Sequence, residues 1–297
     1  MDARHKGEHD DRCWSAEHAT LAGVLEIDFA QPERRRAGRL GQWDGEKWTI
    51  IERNPFVEVH ASAGDSSYGG NTLYATGWTR SSVVLRVLVN GTWQRYLLPK
   101  SSHSWDHAWN TEWTRIRHAV TERLLMDVHG MFYELPALAY GGHIWGIRPI
   151  CSHLRVVPDF CHWRGLFVMA SDQIDHDQGQ PQSGLWFGDL DDLWQMGKPT
   201  GWGGPWWDTP VQAQEVSDPF LMTGFDKKVV HLAHDNEENV TFDLEVDFLG
   251  DGSWHRYQVF RFRKGYRHHE FPDGYSAHWV RVRVDRACKA TVHFTYN

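Results

Sequence analysis

The feature that most constrains the fold of this chain is a long succession of short apolar runs, which glycine, aspartate, asparagine and proline interrupt. The runs are rich in Val, Leu, Phe and Trp, which suit a pleated, half-buried strand. The clearest are 81–89, 153–158, 165–171, 228–234, 241–248 and 278–284. Helical patterns are scarce, and the one within 183–197 would give only one or two turns. The sequence therefore predicts an all-β chain.

A turn followed by tryptophan recurs along the chain, as WDGEKW (43–48), NGTW (90–93) and DGSW (251–254). Asn-Gly and Asp-Gly favour tight hairpins, and the tryptophan then begins the returning strand. Trp48 and Trp93 are 45 residues apart, the length of a four-stranded propeller blade. The third motif does not fall on this spacing, so the repeat is degenerate. At this length per blade, 297 residues predict a β-propeller of six to seven blades.

The predicted organisation has two parts. Residues 1–40 form an irregular N-terminal segment, and residues 41–297 form the propeller domain. The last third, from about Val229, fits either closing blades or a small β-sandwich, and the sequence leaves both open. The first forty residues carry few strand signals, so one or more opening blades are irregular or absent and the propeller is N-terminally truncated in this interpretation.

The bulk composition argues against several classes of protein. A formal net charge of −8 disfavours nucleic acid as a partner. No apolar run reaches the length of a membrane span. The polar start has no core of a secretory signal, which predicts a cytoplasmic protein for the sequence as given; this prediction fails if the chain is a fragment. The four cysteines form no CxxC pair, so a structural zinc site is not expected, and a Cys151–Cys161 disulfide is allowed but not required.

The stretch 124–135, LLMDVHGMFYEL, suggests a functional strand. Read with a period of two, one side is apolar, whereas the other carries Asp127, His129 and Tyr133. The glycine after His129 is typical of a close approach by a ligand or another backbone. We therefore predict that His129 faces a ligand. The alternative is a satisfied buried network of these three polar residues that serves only packing.

The segment 101–163 holds the densest set of polar and aromatic residues. Its three pieces lie about 20 to 25 residues apart, so they fit adjacent blades whose inner strands line a central channel. The candidates besides Tyr133 and His129 are Trp105, His107, Trp109, Arg115, Arg148, His153 and Trp163. Two alternatives stay open: His107 as a rim residue and Arg148 as a loop cap. No HExxH or comparable spacing occurs, so no metal site is predicted, although the composition allows a structural divalent cation.

Six segments of the chain resemble a set of bacterial and fungal β-propeller proteins: 73–88, 124–136, 146–172, 201–207, 217–235 and 271–285. That set is related to the L-rhamnose-α-1,4-D-glucuronate lyases, which act on rhamnose-capped arabinogalactan such as gum arabic. It also includes α-L-rhamnosidases. The resemblance covers about 45–297 and is strongest from 70 to 235. Its motifs are specific to this broad group and much less specific to one activity within it.

The resemblance implies a seven-bladed propeller and a polysaccharide lyase that releases rhamnose from rhamnosyl-glucuronate by β-elimination. It implies that His107 and His129 carry protons, and the chemistry adds Tyr133 at the leaving group. Arg148 and Arg115 suit the uronate carboxylate, because a guanidinium grips a carboxylate with two hydrogen bonds. The sugar platform would be built by Trp105, Trp109, Trp163 and Trp206.

This interpretation needs no cofactor, and its partner is an oligosaccharide or polysaccharide. Two alternatives stay open. The first is an α-L-rhamnosidase, a glycoside hydrolase whose histidine comes from an N-terminal part that has no match here. The second is a non-catalytic carbohydrate-binding or scaffolding propeller. The 17 tryptophans fit either packing between sheets or stacking against the apolar face of a sugar.

Overall fold

The computed structural model describes residues 13–17, 39–61, 72–101, 114–119, 123–136, 144–153, 155, 157–171 and 184–297. Within these ranges the chain is built almost entirely from strands, which confirms the prediction of an all-β protein. A 3-10 turn (Leu190–Asp192) leads into the short helix α1 (Leu193–Met196). No helix in the described part of the chain is long and apolar enough to cross a membrane.

The described strands before residue 201 form four antiparallel meanders, in which each strand pairs with the next described strand along the chain. The first meander contains β1 (Cys13–Glu17), β2 (Arg39–Trp43) and β3 (Trp48–Glu52). The second contains β4 (Phe56–Ala61), β5 (Leu73–Trp78), β6 (Val83–Val89) and β7 (Thr92–Leu98). The third contains β8 (Arg115–Ala119), β9 (Arg123–Val128), β10 (Met131–Leu135) and β11 (Arg148–Ser152). The fourth contains β12 (Phe160–Trp163), β13 (Leu166–Ser171) and β14 (Gly184–Gly188).

The first strands of three meanders lie side by side, since β8 contacts both β4 and β12. Ion pairs join them: Arg117 on β8 donates to Glu58 on β4 and, at 3.0 Å, to Asp159 just before β12. Arg115 on the same strand lies 3.8 Å from both carboxylates. Successive meanders packed through their first strands resemble neighbouring propeller blades.

Three of the hairpins turn through two residues that both have positive φ angles. They are Asn90-Gly91, His129-Gly130 and Arg164-Gly165, with φ between 49° and 88°. This is the geometry of a type I′ turn, whose twist matches that of the flanking strands. The interpretation of 124–135 as one strand is therefore wrong. The stretch is a hairpin in which Val128 pairs with Met131, and Gly130 is the second turn residue.

The last third of the described chain forms a sandwich of two antiparallel sheets. Its strands are β15 (Gly201–Val211), β16 (Phe220–Leu221), β17 (Lys228–His234), β18 (Val240–Asp247), β19 (His255–Phe262), β20 (Gly265–Glu270), β21 (Trp279–Val284) and β22 (Cys288–Tyr296). One sheet has the order β15-β22-β17-β20 and the other has the order β16-β21-β18-β19. This interleaved order is that of an eight-stranded jelly roll, which is made from two Greek keys.

The two regions share one sheet and one core. Strand β16 pairs in parallel with β7 through Phe220 and Leu97, so the second meander continues into the sandwich sheet. Phe220 also stacks on Phe294 of the opposite sandwich sheet, with ring centroids 5.1 Å apart. The apolar residues of β6, β7, β18, β21 and β22 belong to a single buried cluster.

The blade count predicted from sequence needs correction. The described strands before Gly201 form four meanders, fewer than the six to seven blades predicted, because the last third folds as a sandwich. The motif DGSW lies in the β18–β19 connection of that sandwich, which explains why it does not fall on the 45-residue spacing. The sandwich is one of the two alternatives that the sequence left open. Cys151, Cys161 and Cys288 are all free thiols, so no Cys151–Cys161 disulfide forms.

Candidate functional site

His129, the residue predicted to face a ligand, lies in a hairpin turn with a fully buried side chain (0 % exposed). Its imidazole packs edge-on against Trp78, with ring centroids 5.3 Å apart. Its carbonyl accepts a hydrogen bond from the Ser101 amide at 3.0 Å. The prediction that His129 stands on an inner strand and faces a channel is therefore wrong, because the turn directs the ring into the protein.

Asp127 pairs with His153 and not with His129. The Nε2 atom of His153 lies 2.7 Å from Oδ1 of Asp127, and both side chains are almost completely buried. The Nδ1 atom of His153 accepts the Arg155 amide at 3.0 Å, so Nε2 carries the proton that is donated to Asp127. Both imidazole nitrogens are thus engaged within the third meander, which places His153 in a buried structural pair and away from a sugar.

The other predicted residues are dispersed. Tyr133 is buried and donates its hydroxyl to the Pro99 carbonyl at 2.7 Å, and burial raises the pKa of this phenol well above its usual value. Arg148 is exposed and pairs with Glu134 at 2.6 Å. Trp163 is half exposed and packs against Arg164, whereas Trp206 is 5 % exposed and belongs to the core. Trp105, His107 and Trp109 lie outside the described residues.

A cavity of about 540 Å³ opens where the second meander meets the sandwich. We call it the Trp207 cavity. Its lining consists of Arg80, Ser101, Thr200, Gly201, Trp202, Trp207, His293, Thr295, Tyr296 and Asn297. Arg80 lies in the β5–β6 turn and Ser101 follows β7, whereas the tryptophans come from β15 and His293 comes from β22. Its volume lies in the range of small-molecule sites.

The motif GWGGPWW (201–207) brings the two regions into contact at this cavity. A Cβ on Gly203 would lie 2.5 Å from the Ser81 carbonyl, and one on Gly204 would lie 2.0 Å from the Val292 carbonyl. Only glycine allows this approach of one backbone to another. The Ser82 hydroxyl fixes the contact, because it donates to the Gly204 carbonyl at 2.8 Å and accepts the Gly204 amide at 3.1 Å.

Strand alternation places the functional groups of the cavity on the outer face of the sandwich. Along β22, Val292, Phe294 and Tyr296 are buried, whereas His293 and Thr295 point to the opposite face. Thr295 is paired with Trp202 of β15. The His293 ring lies between two tryptophans, with centroids 5.9 Å from Trp202 and 5.1 Å from Trp207.

Two positively charged side chains lie close to the rings of these tryptophans. The guanidinium carbon of Arg80 lies 5.0 Å from the Trp207 ring centroid, and Nζ of Lys100 lies 5.7 Å from that of Trp202. The Lys100 ammonium is buried and donates to the Thr79 carbonyl at 2.5 Å. None of the described lining residues is an aspartate or a glutamate. The described lining of the cavity is therefore aromatic and carries a cationic side chain, Arg80.

His293 is neutral at physiological pH. Burial, together with the neighbouring imidazole of His231, lowers the pKa of His293 to about 4. Its buried Nδ1 atom has no hydrogen-bond partner among the described residues. A neutral imidazole carries one nitrogen that can accept a proton.

The sequence contained a signal for this cavity in GWGGPWW, but alternation alone selects the wrong tryptophan. Pairing along β15 shifts between Gly203 and Trp206, and again between Trp206 and Thr209. These irregularities place Trp206 opposite the buried Val292 and leave Trp202 and Trp207 at the cavity. No sequence motif marked His293, which is assigned to the Trp207 cavity only by its position in β22.

No protein-family model matches the chain, and no curated protein is similar to it. Solved structures give weak likenesses. An exo-β-1,3-galactanase from Phanerochaete chrysosporium, solved with β-1,3-galactotriose, is 8 % identical, with coverage of 88 % of this chain and 74 % of that one and a TM-score of 0.25. A glycoside hydrolase family 43 arabinoxylan arabinofuranohydrolase from Bacillus subtilis, in complex with cellotetraose, is 11 % identical, with coverage of 98 % and 64 % and a TM-score of 0.24. At these scores the likenesses show nothing about the function of this chain, so a function has to be inferred from the geometry of the cavity.

The described residues include no group of three His, Cys, Asp or Glu side chains placed to hold a metal ion. Among the described residues, His231 neighbours His293 on the sheet surface. Its ring centroid lies 6.4 Å from that of His293, and its Nδ1 atom lies 2.7 Å from the Tyr266 hydroxyl. The described lining of the Trp207 cavity thus offers aromatic rings, a guanidinium, hydroxyls, an amide and a neutral imidazole.

Proposed function

We propose that this protein is carbohydrate-active and binds an acidic saccharide in the Trp207 cavity. The observation that carries the proposal is the pairing of Trp202 and Trp207 with cations in one opening of suitable size. A tryptophan ring offers a flat apolar surface to the C–H face of a pyranose, and its edge and neighbours supply polar contacts. Arg80 at the rim favours a sugar that carries a carboxylate, because guanidinium and carboxylate form paired, charge-assisted hydrogen bonds.

Within this proposal, β-elimination next to a uronic acid is the reaction that the cavity suits best. Arg80 would neutralise the uronate carboxylate, which makes the C5 proton easier to remove. His293, neutral above a pKa of about 4, would accept that proton. The C4–O bond would then break with formation of a C4=C5 double bond, and water would protonate the leaving oxygen. This step assigns to His293 the role that the sequence interpretation gave to His129 and His107.

Hydrolysis by the common two-carboxylate mechanism fits the cavity less well. That mechanism places two acidic side chains on either side of the glycosidic bond. The described lining of the Trp207 cavity supplies none, and the carboxylates of Glu58 and Asp159 between the meanders are engaged by Arg115 and Arg117. An α-L-rhamnosidase or another glycosidase would be recognised in the test below by free sugar without a rise in absorbance.

The test incubates the protein with rhamnosyl-glucuronate oligosaccharides and follows ultraviolet absorbance, released sugar and binding in parallel. The variants are Arg80→Ala and His293→Gln, with His268→Gln as the control, since His268 is an exposed histidine of the same sandwich sheet. The proposal predicts binding that Arg80→Ala weakens, and a rise in absorbance that His293→Gln abolishes and His268→Gln leaves intact. Free sugar without absorbance would establish a hydrolase, and binding without product would establish a binding protein. Absence of both binding and product would overturn the proposal.

A further inference from the structure

A second cavity, of about 410 Å³, lies at the opposite end of β7. We call it the Trp254 cavity. It is lined by Arg86, Trp93, Gln94, Arg95, Tyr96, Asp218, Pro219, Asp247, Gly250, Gly252, Trp254 and Trp279. These residues come from strands β6 and β7, from the segment before β16, from the end of β18 and the β18–β19 loop, and from the first residue of β21. The cavity therefore spans the junction of the second meander with the sandwich, as the Trp207 cavity does at the other end of β7.

The polar groups of this cavity are held in fixed positions. Glu52, which is nearly buried, accepts Nε of Arg86 at 2.6 Å and Nη2 of Arg95 at 2.9 Å. Nη1 of Arg95 reaches Asp218 at 2.5 Å. The carboxylate of Asp247 accepts the amides of Gly250 and Gly252, both at 2.7 Å. Two arginines and two aspartates are thus oriented before a ligand enters, which lowers the entropy lost on binding.

The β18–β19 loop is shaped to present an aromatic ring beside these groups. Gly250 and Gly252 have φ angles of 79° and 88°, a region that residues with side chains rarely adopt. They allow the loop to fold over the Asp247 carboxylate and to place Trp254 in the lining. Arg281 packs on the Trp254 ring, with its guanidinium carbon 4.2 Å from the centroid, and this contact fixes the orientation of the ring.

The charge of this cavity differs from that of the Trp207 cavity. Its arginines are already paired with Glu52 and Asp218, and Asp247 is satisfied by backbone amides, so the described lining has no excess of positive charge. An anionic ligand would meet two carboxylates here. Aromatic rings combined with balanced, pre-oriented donors and acceptors suit a ligand with many hydroxyls and no net charge.

We propose that the Trp254 cavity is a second saccharide site, selective for a neutral sugar. Trp93 and Trp254 provide the apolar contact, and Gln94, Asp218 and Arg86 provide hydrogen bonds to hydroxyls. The two cavities would then bind one neutral and one acidic unit at opposite ends of the same strand. The Trp254 site does not depend on the function of the Trp207 cavity, because no described residue lines both.

The experiment measures the binding of xylotetraose, mannotetraose and galactotetraose by calorimetry, with tetragalacturonate as the charged competitor. The variants are Trp254→Ala, Trp254→Phe and Gln94→Ala for this cavity and Trp207→Ala for the other, and circular dichroism checks the fold of each. We expect at least one neutral tetrasaccharide to bind, with an affinity that falls at least tenfold in Trp254→Ala and several-fold in Gln94→Ala. Trp207→Ala should change this affinity by less than twofold, and tetragalacturonate should not compete.

Three results would overturn the proposal: no binding of any neutral tetrasaccharide, unchanged binding in the folded Trp254 variants, or loss of neutral binding in Trp207→Ala. If Trp254→Ala does not fold, Trp254→Phe and Gln94→Ala decide in its place, because they remove less packing. Loss of acidic saccharide binding in Trp207→Ala alone concerns only the function proposed for the other cavity.

Discussion

The third meander and the outer face of the sandwich differ in the environment of their histidine side chains. In the meander, His129 and His153 are enclosed, and His153 has both nitrogens engaged by Asp127 and the Arg155 amide. On the sandwich, His293 lines an open cavity between two tryptophans. Among the described residues, the polar motif of 124–135 thus belongs to a buried structural region, whereas His293 lines a cavity at a junction between distant segments.

The physical basis of this difference is local backbone geometry. A two-residue turn directs the His129 side chain back into the protein, where a buried polar group must be satisfied. On β22, alternation directs every second side chain to the outer face of the sandwich, and the glycines of β15 leave room beside it. We therefore expect substitutions of the enclosed residues in the third meander to affect stability, and substitutions of the residues that line the Trp207 cavity to affect binding.

The largest expected effect is on the buried pair of the meander. Asp127→Ala leaves the Nε2 donor of the enclosed His153 ring without its acceptor, so the free energy of unfolding should fall by about 1–3 kcal/mol. The matched control is Glu134→Ala, which breaks the exposed pair with Arg148 in the same meander and should cost about 0–1 kcal/mol. Urea denaturation compares the two. Equal losses of unfolding free energy in the two variants would contradict the expected difference between the buried pair and the exposed pair.

The next effect concerns binding at the sandwich. Trp207→Ala should weaken the affinity for an acidic oligosaccharide by about tenfold, which corresponds to about 1.4 kcal/mol. Trp163→Ala is the matched control, because Trp163 is also exposed and also stacks on an arginine, but it does not line the described cavities. Calorimetric titration measures both. A larger loss in the Trp163 variant would move the site to the fourth meander.

A smaller effect tests the histidine that the sequence favoured. Asparagine adopts positive φ readily, so His129→Asn should keep the turn and lose the packing against Trp78, which contributes about 0.5–1.5 kcal/mol of stability. Saccharide affinity and any turnover should stay within twofold of the wild type. A folded His129→Asn protein that retains binding but loses all turnover would restore His129 as a catalytic residue.

The effect that is smallest at neutral pH, and that grows as the solution becomes acidic, is a pH dependence of stability. Burial lowers the pKa of His293 and of His60 to about 4, whereas an unfolded chain binds these protons near pH 6.5. The folded state is thus favoured above pH 6.5, and this contribution is lost as the pH falls from 6.5 towards 4. His293→Gln should reduce the slope of the unfolding free energy against pH in that window, which urea denaturation at a series of pH values measures. An identical slope in His293→Gln would contradict a buried neutral His293.

The sequence predicted the class of structure and several turns, because these depend on local preferences. The all-β character and the hairpin at Asn90-Gly91 follow from residue types and glycine positions. Blades and the jelly roll could not be separated, because both consist of short strands and tight turns and differ only in which distant strands pair. The parallel pairing of β16 with β7 has no local signal.

The site was predicted only in its chemistry. Tryptophan and arginine were expected to build a sugar site, and Trp202, Trp207 and Arg80 line the cavity for which we propose that role, yet none of these three was selected. Trp206 was selected and is buried, because the irregular pairing along β15 changes which side chains face outward. His293 could be assigned to the cavity only once the partner strand of β22 was known.

The most direct test of the acidic saccharide site is an NMR titration of the indole N–H signals with a rhamnosyl-glucuronate oligosaccharide. Signals are assigned from Trp202→Phe, Trp207→Phe and Trp163→Phe proteins. We expect the signals of Trp202 and Trp207 to move on titration and the Trp163 signal to stay in place. Arg80→Ala should reduce the chemical-shift changes of the two cavity tryptophans. Movement of the Trp163 signal alone, or no movement of any indole signal at saturating ligand, would contradict the proposed site.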